Sequence, residues 1–167
     1  MKPKETVFVL KSIGVLRTPY NNKSPHQPVK EEKGSFFVEL HNEFIESLKY
    51  LDTFRYVYII FYLDRVIRTN NKTAKPPWAD GVEVGVFASR SPDRPNPIGL
   101  SVVELKKISG NRLYISPIDA FDTTPVLDIK PYFDDLDAKK DANLGWVETL
   151  DKNGHLALHI KGIPHDH

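Results

Sequence analysis

The sequence predicts an all-β domain, a barrel or a sandwich, with one short helix. Three observations carry this expectation. Short blocks of apolar alternation, rich in β-branched and aromatic residues, recur along the chain. The stretches between them are rich in Pro, Gly and Asn, which suits an antiparallel sheet better than βαβ units. Only one stretch carries apolar residues at helical spacing.

Taken in order, "TVFVLKSIGVL" (6–16) is the first expected strand and "SFFVEL" (35–40) the second, separated by the turn-rich "TPYNNKSPHQP". "HNEFIESLKYL" (41–51) is the helix, with Phe44, Leu48 and Leu51 on one face. "FRYVYIIFYL" (54–63) is apolar on both faces and is expected at the centre of the sheet. After the loop "NNKTAKPPWADG" comes the strand "VEVGVFAS" (82–89), and then "SRSPDRPNPIGLS", Ser89 to Ser101. Its three prolines fix their own φ and restrain Ser91, Arg94 and Asn96 before them, so a stiff loop is expected. "IGLSVVELKKI" (98–108) and "NRLYISPI" (111–118) are strands joined by the hairpin turn "SGNR", and "VLDIKPY" (126–132) is another. "DDLDAKKDAN" (134–143) reads as a linker into a C-terminal hairpin at about 143–163, in which "DKNG" joins "GWVETL" to "HLALHI".

The chain has 167 residues, enough for one domain, 1–167, with its own core and too few for two of ordinary size. Hydrophobic residues make up 40% and charged residues 27%, and no apolar run has the length of a membrane span. The N-terminal residues lack the uninterrupted apolar segment of a secretion signal. There is no cysteine, which excludes disulfides, thiolate metal sites and cysteine nucleophiles and fits a cytoplasmic protein. Net charge is +1, divided as +4 over residues 1–80 and −3 over the remainder, without the strong basic bias of many nucleic-acid binders. The local exception is "DRVIRTNNKTAK", a loop with Arg65, Arg68, Lys72 and Lys75.

No phosphate-binding loop, zinc-protease helix motif or nucleophile elbow is present, and "GVEVG" (81–85) lacks the context of a dinucleotide fingerprint. His155 and His159 share a strand face, and with His165 and His167 read as strand and tail residues, so no metal is expected. Asp119, Asp122 and Asp128 surround a proline turn in "DAFDTTPVLDIKPY", where a carboxylate can accept a proton, hold a ribose hydroxyl or simply bond turn amides. Arg90 and Arg94 in the stiff loop offer planar forks, either for a ligand or for an internal clamp.

The segments "GVFASRSPDRPNPIGLSVVEL" (Gly85 to Leu105), "DTTPVLDIKPY" (Asp122 to Tyr132) and "IGVLRTPY" (Ile13 to Tyr20) closely resemble the TsaA/TrmO-like family, over about residues 8–133. The resemblance implies a single-sheet β-barrel methyltransferase that uses S-adenosylmethionine and forms a homodimer with the cofactor near the subunit interface. Its implied substrate is tRNA carrying N6-threonylcarbamoyladenosine at position 37, just 3′ of the anticodon, with N6 as the methyl acceptor. Position by position, the implied cofactor contacts are Pro25, His26, Gln27, Asp64, Arg65, Arg90, Leu100 and the run Asp119, Ala120, Phe121 and Asp122.

Threonylcarbamoylated N6 is a poor nucleophile, so a carboxylate that attracts its proton is needed, and Asp122 and Asp119 are the candidates. Arg94, Asn96 and Lys130 are candidates for the substrate, Arg94 or Lys130 for its threonyl carboxylate; Arg65, Arg68, Lys72, Lys75 and Trp78 are candidates for the anticodon loop. Three positions depart from the family pattern. His26 stands where arginine is common, Asp64-Arg65 where bacterial relatives often have His-Gln, and Thr123 where glycine is usual, so the loop after Asp122 is expected to be shaped differently. Other readings are the same barrel acting on another acceptor, a noncatalytic RNA or cofactor-binding module, and a metal hydrolase using the aspartates and C-terminal histidines.

Overall fold

A computed structural model of the chain describes residues 6–25, 28–29, 32–69, 71–79 and 81–150. Six strands build the main sheet: β1 (Gly14–Arg17), β2 (Phe37–Leu40), β3 (Tyr56–Tyr62), β6 (Ile98–Ser109), β7 (Arg112–Ile115) and β8 (Pro125–Pro131). They pair antiparallel in the order β1-β2-β7-β6-β3-β8, and β8 pairs back onto β1, so the sheet closes and none of the six is an edge. The remaining strands, β4 (Thr73–Ala74) and β5 (Val84–Gly85), pair only with each other.

Alternation explains the interior. In β3, Val57, Ile59 and Phe61 are buried while Tyr56, Tyr58, Ile60 and Tyr62 face outward. Leu16, Val38, Leu40, Val103, Leu113, Ile115, Ile118 and Val126 complete the core. Each such side chain contributes about 1.5–3 kcal/mol by leaving water. The expected turn at "SGNR" joins β6 to β7, with Gly110 at φ 59°, a conformation that glycine adopts without a Cβ clash. β3 pairs with both β6 and β8, the central placement its two apolar faces predict.

Four expectations are corrected. "HNEFIESLKYL" forms 3-10 turns, Asn42–Leu48 and Leu51–Thr53, rather than an α-helix: its start has no side-chain cap, and Tyr50 interrupts it at φ 67°. The first strand begins only at Gly14, after backbone bonds from Ile13 to Val126 and from His41 to Ile13, because β2 gives way to the 3-10 turn at Asn42 and leaves residues 6–12 without a continuing strand partner. "VEVGVFAS" contributes two strand residues and then the 3-10 turn Val86–Ala88. At the C-terminal end the expected linker holds a short α-helix, α1 (Asp134–Asp137), and "GWVETL" makes a 3-10 turn over Gly145–Thr149 instead of the first arm of a hairpin. The second arm, "HLALHI", lies outside the described residues.

The topology places the site. Arg17 pairs with Phe37, Phe37 with Tyr114, Tyr62 with Ile98, and Val15 with Pro125, so one rim collects the end of β1, β3 and β7 and the start of β2, β6 and β8. Three connections, 18–36, 63–97 and 116–124, therefore leave from this rim, and the connection 41–55 leaves from the opposite one.

Candidate active site

Every implied cofactor contact lies on those three connections or at the start of β6. Three backbone hydrogen bonds tie the connection 116–124 to β1 and to the connection that follows it: Asp122 N donates to Tyr20 O at 2.7 Å, Thr123 N to Leu16 O at 2.8 Å and Leu16 N to Thr124 O at 2.8 Å. Buried Thr18 adds a bond from its hydroxyl to Ala120 O at 2.9 Å. Arg65, from the third connection, closes the triangle. Its guanidinium donates to Asn21 O and to Asp122 O, the latter at 2.8 Å, and stands 5.0 Å over the Phe121 ring. Arg65, Phe121 and Asp122, related in the sequence only by resemblance, are thus in direct contact.

The two candidate acids differ in what surrounds them. Asp122 is committed to structure: Oδ1 accepts from Thr18 N at 3.2 Å and Oδ2 lies 3.6 Å from Arg17 Nη1. Arg17 also grips Glu39, Nε to Oε2 at 3.0 Å, and Glu39 accepts in turn from Arg112 at 2.9 Å. Those two arginines hold the Glu39 carboxyl below its ordinary range, Arg17 first. Asp119 is half-buried, and burial pushes its carboxyl up, partly offset by its own backbone amide and by the positive charge of Arg90. Tyr20 faces the same place. Its pKa is pushed up to about 12 by burial, then by Glu32 and by Asp119, so it remains a hydrogen-bond donor. The Tyr20 hydroxyl is buried, and its neighbour among the described residues is the Glu32 carboxylate, which it faces without the close, aligned geometry of a full hydrogen bond.

A buried hydroxyl held this loosely can donate to a ligand that supplies a better-placed acceptor. Around it stand two carboxylates, Asp119 and Glu32, and one cation, Arg90, complementary to an ammonium and a carboxylate on one small molecule. The donor set therefore fits an amino-acid-bearing cofactor. Tyr20 and Arg17 are the site residues that sequence reasoning missed, although both stand in "IGVLRTPY".

The stiff loop is organised from within. Arg94 Nη2 donates to Val86 O and to Ser89 O, each at 3.1 Å, which makes it a clamp of the loop, one of the two roles its fork allows. Asp93 accepts from Thr69 N at 3.1 Å, from the Thr69 hydroxyl and from Asn71 Nδ2 at 3.3 Å, tying the loop to the basic segment. Pro97 is buried, and its carbonyl accepts from Leu63 N at 2.8 Å. Asn96 and Leu100 are left exposed beside Arg90.

The basic segment is more engaged than its sequence suggests. Arg65 faces the acidic run, Arg68 bonds the Tyr62 hydroxyl, Lys75 pairs with Glu83 at 3.3 Å, and Trp78 stacks on Trp146 with ring centres 5.6 Å apart. Lys72 is exposed. Asp64 is exposed next to Arg65, and Pro25 borders His26 and Gln27, which lie outside the described residues. Lys130 pairs with Asp128 at 2.8 Å on the outer face of β8, opposite Tyr58, rather than on the connecting loops. Thr123 does adopt positive φ, 66°, so the loop keeps the conformation that glycine favours, contrary to expectation. Among the described residues no group of three or more His, Cys, Asp or Glu is placed to hold a metal ion.

The family model for the tRNA-methyltransferase O N-terminal domain matches residues 15–138. A probable S-adenosyl-L-methionine-binding protein of Archaeoglobus fulgidus is 41% identical over 149 residues, covering 88% of this chain and 40% of that protein. The tRNA (adenine(37)-N6)-methyltransferase of Escherichia coli is 34% identical over 152 residues, covering 85% of this chain and 65% of that protein. The crystal structure of TrmO from Pseudomonas aeruginosa superposes with a TM-score of 0.69 at 34% identity, over 84% of this chain and 63% of that one. The chain thus spans less than two thirds of the length of each of these three relatives. A family match over most of the chain, with these three likenesses, makes the chain a member of the tRNA-methyltransferase O N-terminal domain family.

Proposed function

We propose that the protein is an S-adenosylmethionine-dependent methyltransferase that methylates N6 of N6-threonylcarbamoyladenosine at position 37 of tRNA, acting as a homodimer of β-barrels in the cytoplasm. The observation that carries this reading is the convergence of Tyr20, Arg65, Arg90 and Asp119–Asp122 at one rim of the closed sheet, in a member of this family. Support for the dimer comes from an apolar stripe outside the barrel, Ile98, Leu100 and Val102.

When bound, the cofactor supplies an electrophilic methyl group on a sulfonium. Arg90 would hold its carboxylate, Glu32 its ammonium, and the Tyr20 hydroxyl would donate to an acceptor atom. Transfer of a methyl group needs donor and acceptor in line, so rigid loops contribute most. Arg65 fixes the run 120–123, and Arg94 with the prolines fixes Arg90 and Leu100. Asp119, more basic than an ordinary carboxylate, takes the N6 proton as the N–C bond forms. Asp122 is the support: Thr18 and Arg17 already occupy its oxygens.

The test is incubation with labelled S-adenosylmethionine and tRNA with or without the threonylcarbamoyl group, followed by nucleoside mass spectrometry. N6-methylated product only in the modified tRNA is the expected result. Label on another nucleoside would move the reading to a different acceptor, and no label on any RNA would remove it.

A further inference from the structure

Directly paired residues on the outside of β1, β2, β7 and β6 form one row across the sheet: Arg17, Phe37, Tyr114 and Lys107. Cations flank a pair of aromatic rings. The rings lie 5.3 Å apart between centres, Arg112 stands 5.3 Å over Phe37, and Lys107 stands 4.6 Å over Tyr114. Ring faces attract cations and so hold these long side chains in place.

The row depends on an irregularity in β6. Val103 and Leu105 point inward, and simple alternation would turn Lys107 inward as well. The register instead shifts between Leu105 and Lys107, the mark of a bulge, and both Lys106 and Lys107 emerge exposed. Burying an unpaired ammonium is costly, so the bulge and the two lysines belong together. Of the acids on this face, Glu39 is shared between Arg17 and Arg112 and Glu104 is paired with Arg55, which leaves Lys106 and Lys107 to make the surface positive. The face also touches the candidate site, because Arg17 reaches both Glu39 and Asp122.

We propose that this outer face of β1, β2, β7 and β6 docks the phosphate backbone of RNA, guiding it toward the rim where Asp119 lies. Phosphates meet Lys106 and Lys107 at one end of a row that spans about 14 Å from β1 to β6, three strand spacings. An unstacked base can lie against Phe37 or Tyr114, as aromatics on a sheet face accept single-stranded RNA. The inference rests on the proposed tRNA reading but assigns a surface that lies apart from the basic segment at 65–75.

The experiment measures tRNA affinity of the full chain against salt concentration for the wild type, K106E/K107E, the milder K106A/K107A and K139E/K140E, which makes the same charge change on the exposed C-terminal segment. Circular dichroism confirms folding of each. The expected result is a loss of tenfold or more in affinity for K106E/K107E and a salt slope shallower by about 1.5, since each phosphate contact contributes about 0.7–0.9. K106A/K107A follows in the same direction, and K139E/K140E stays near the wild type. If the wild type methylates tRNA while both glutamate doubles behave alike, the docking surface is overturned and the proposed function stands. A wild type that neither binds nor methylates tRNA overturns both.

Discussion

Thr123 holds φ at 66°, a conformation that disfavours a side chain with a Cβ by about 1–2 kcal/mol. Its surroundings over-determine it: the amide donates to Leu16 O at 2.8 Å, the hydroxyl to Asp122 O at 2.6 Å, and Arg65 approaches the hydroxyl at 3.4 Å. The Thr123→Gly variant relieves the strain but gains freedom when unfolded, so the net stabilisation is about 1 kcal/mol or less. A rise in urea midpoint at unchanged slope would show it; a fall would mean that the hydroxyl bonds outweigh the strain. The same residue shows where the sequence was silent. β-branching argued against positive φ, and only the tertiary hydrogen bonds reverse that argument. The candidate acids were legible as a cluster, but their difference was not, because it lies in partners a hundred residues away: Thr18 and Arg17 on Asp122, burial on Asp119. That difference has a pH signature. Burial raises the folded Asp119 pKa above the ordinary 3.8, so its contribution is fully present below that value and is lost as pH rises through the folded pKa. The Asp119→Asn variant escapes this loss. Relative to the wild type it is therefore expected to gain stability between about pH 3 and pH 7 in urea unfolding. A difference that is flat with pH would remove burial as the cause and weaken Asp119 as the proton acceptor.

Among the elements, β6 is where the stiff loop becomes sheet, and Gly99 marks the junction. A Cβ on Gly99 would come 2.2 Å from the Phe61 ring, which is buried on the neighbouring strand. Since β3 is anchored on both sides, the ring cannot simply move away. The Gly99→Ala variant is expected to lose about 1–3 kcal/mol by overpacking, read as a lower urea midpoint. An unchanged midpoint would show that Phe61 has a second rotamer available. The strands with strict alternation, such as β3 and β7, were legible because their period-two pattern is set by the core they face. Two other classes of element were not. Residues 6–12 have strand-like sequence, yet pairing requires a neighbour, and β2 has already turned away at Asn42. "GWVETL" also has strand-like composition, but Trp146 stacks on Trp78 and donates to Ala88 O at 2.8 Å, contacts that the 3-10 turn allows. Composition reports which residues suit a strand; it does not report whether a partner is within reach.

At the scale of the molecule, sheet closure does two things: it gathers the connections 18–36, 63–97 and 116–124 at one rim, and it leaves the outside of β3 and β6 as a continuous apolar surface. Cross-strand pairs on that surface are Tyr58 with Val102, Ile60 with Leu100 and Tyr62 with Ile98. Val102, Leu100 and Ile98 are 49%, 58% and 38% exposed, too much apolar area to leave unexplained on a single chain. In the proposed homodimer this face is covered by a second copy about a two-fold axis, each copy meeting the same residues of the other. Leu100 lies in the middle of the stripe and directly follows the loop that carries Arg90. Dimerisation and cofactor binding should then be coupled, because ordering either one shapes the other. The Val102→Lys variant places a charge at the end of the stripe away from the rim, without touching Tyr20, Arg90 or Asp119. It is expected to be monomeric by light scattering and to bind the cofactor at least tenfold more weakly by calorimetry, in parallel. A variant that stays dimeric would put the interface on another face. A monomer with unchanged cofactor affinity would show that one copy of the rim, with its own Tyr20, Arg90 and Asp119, builds the site alone.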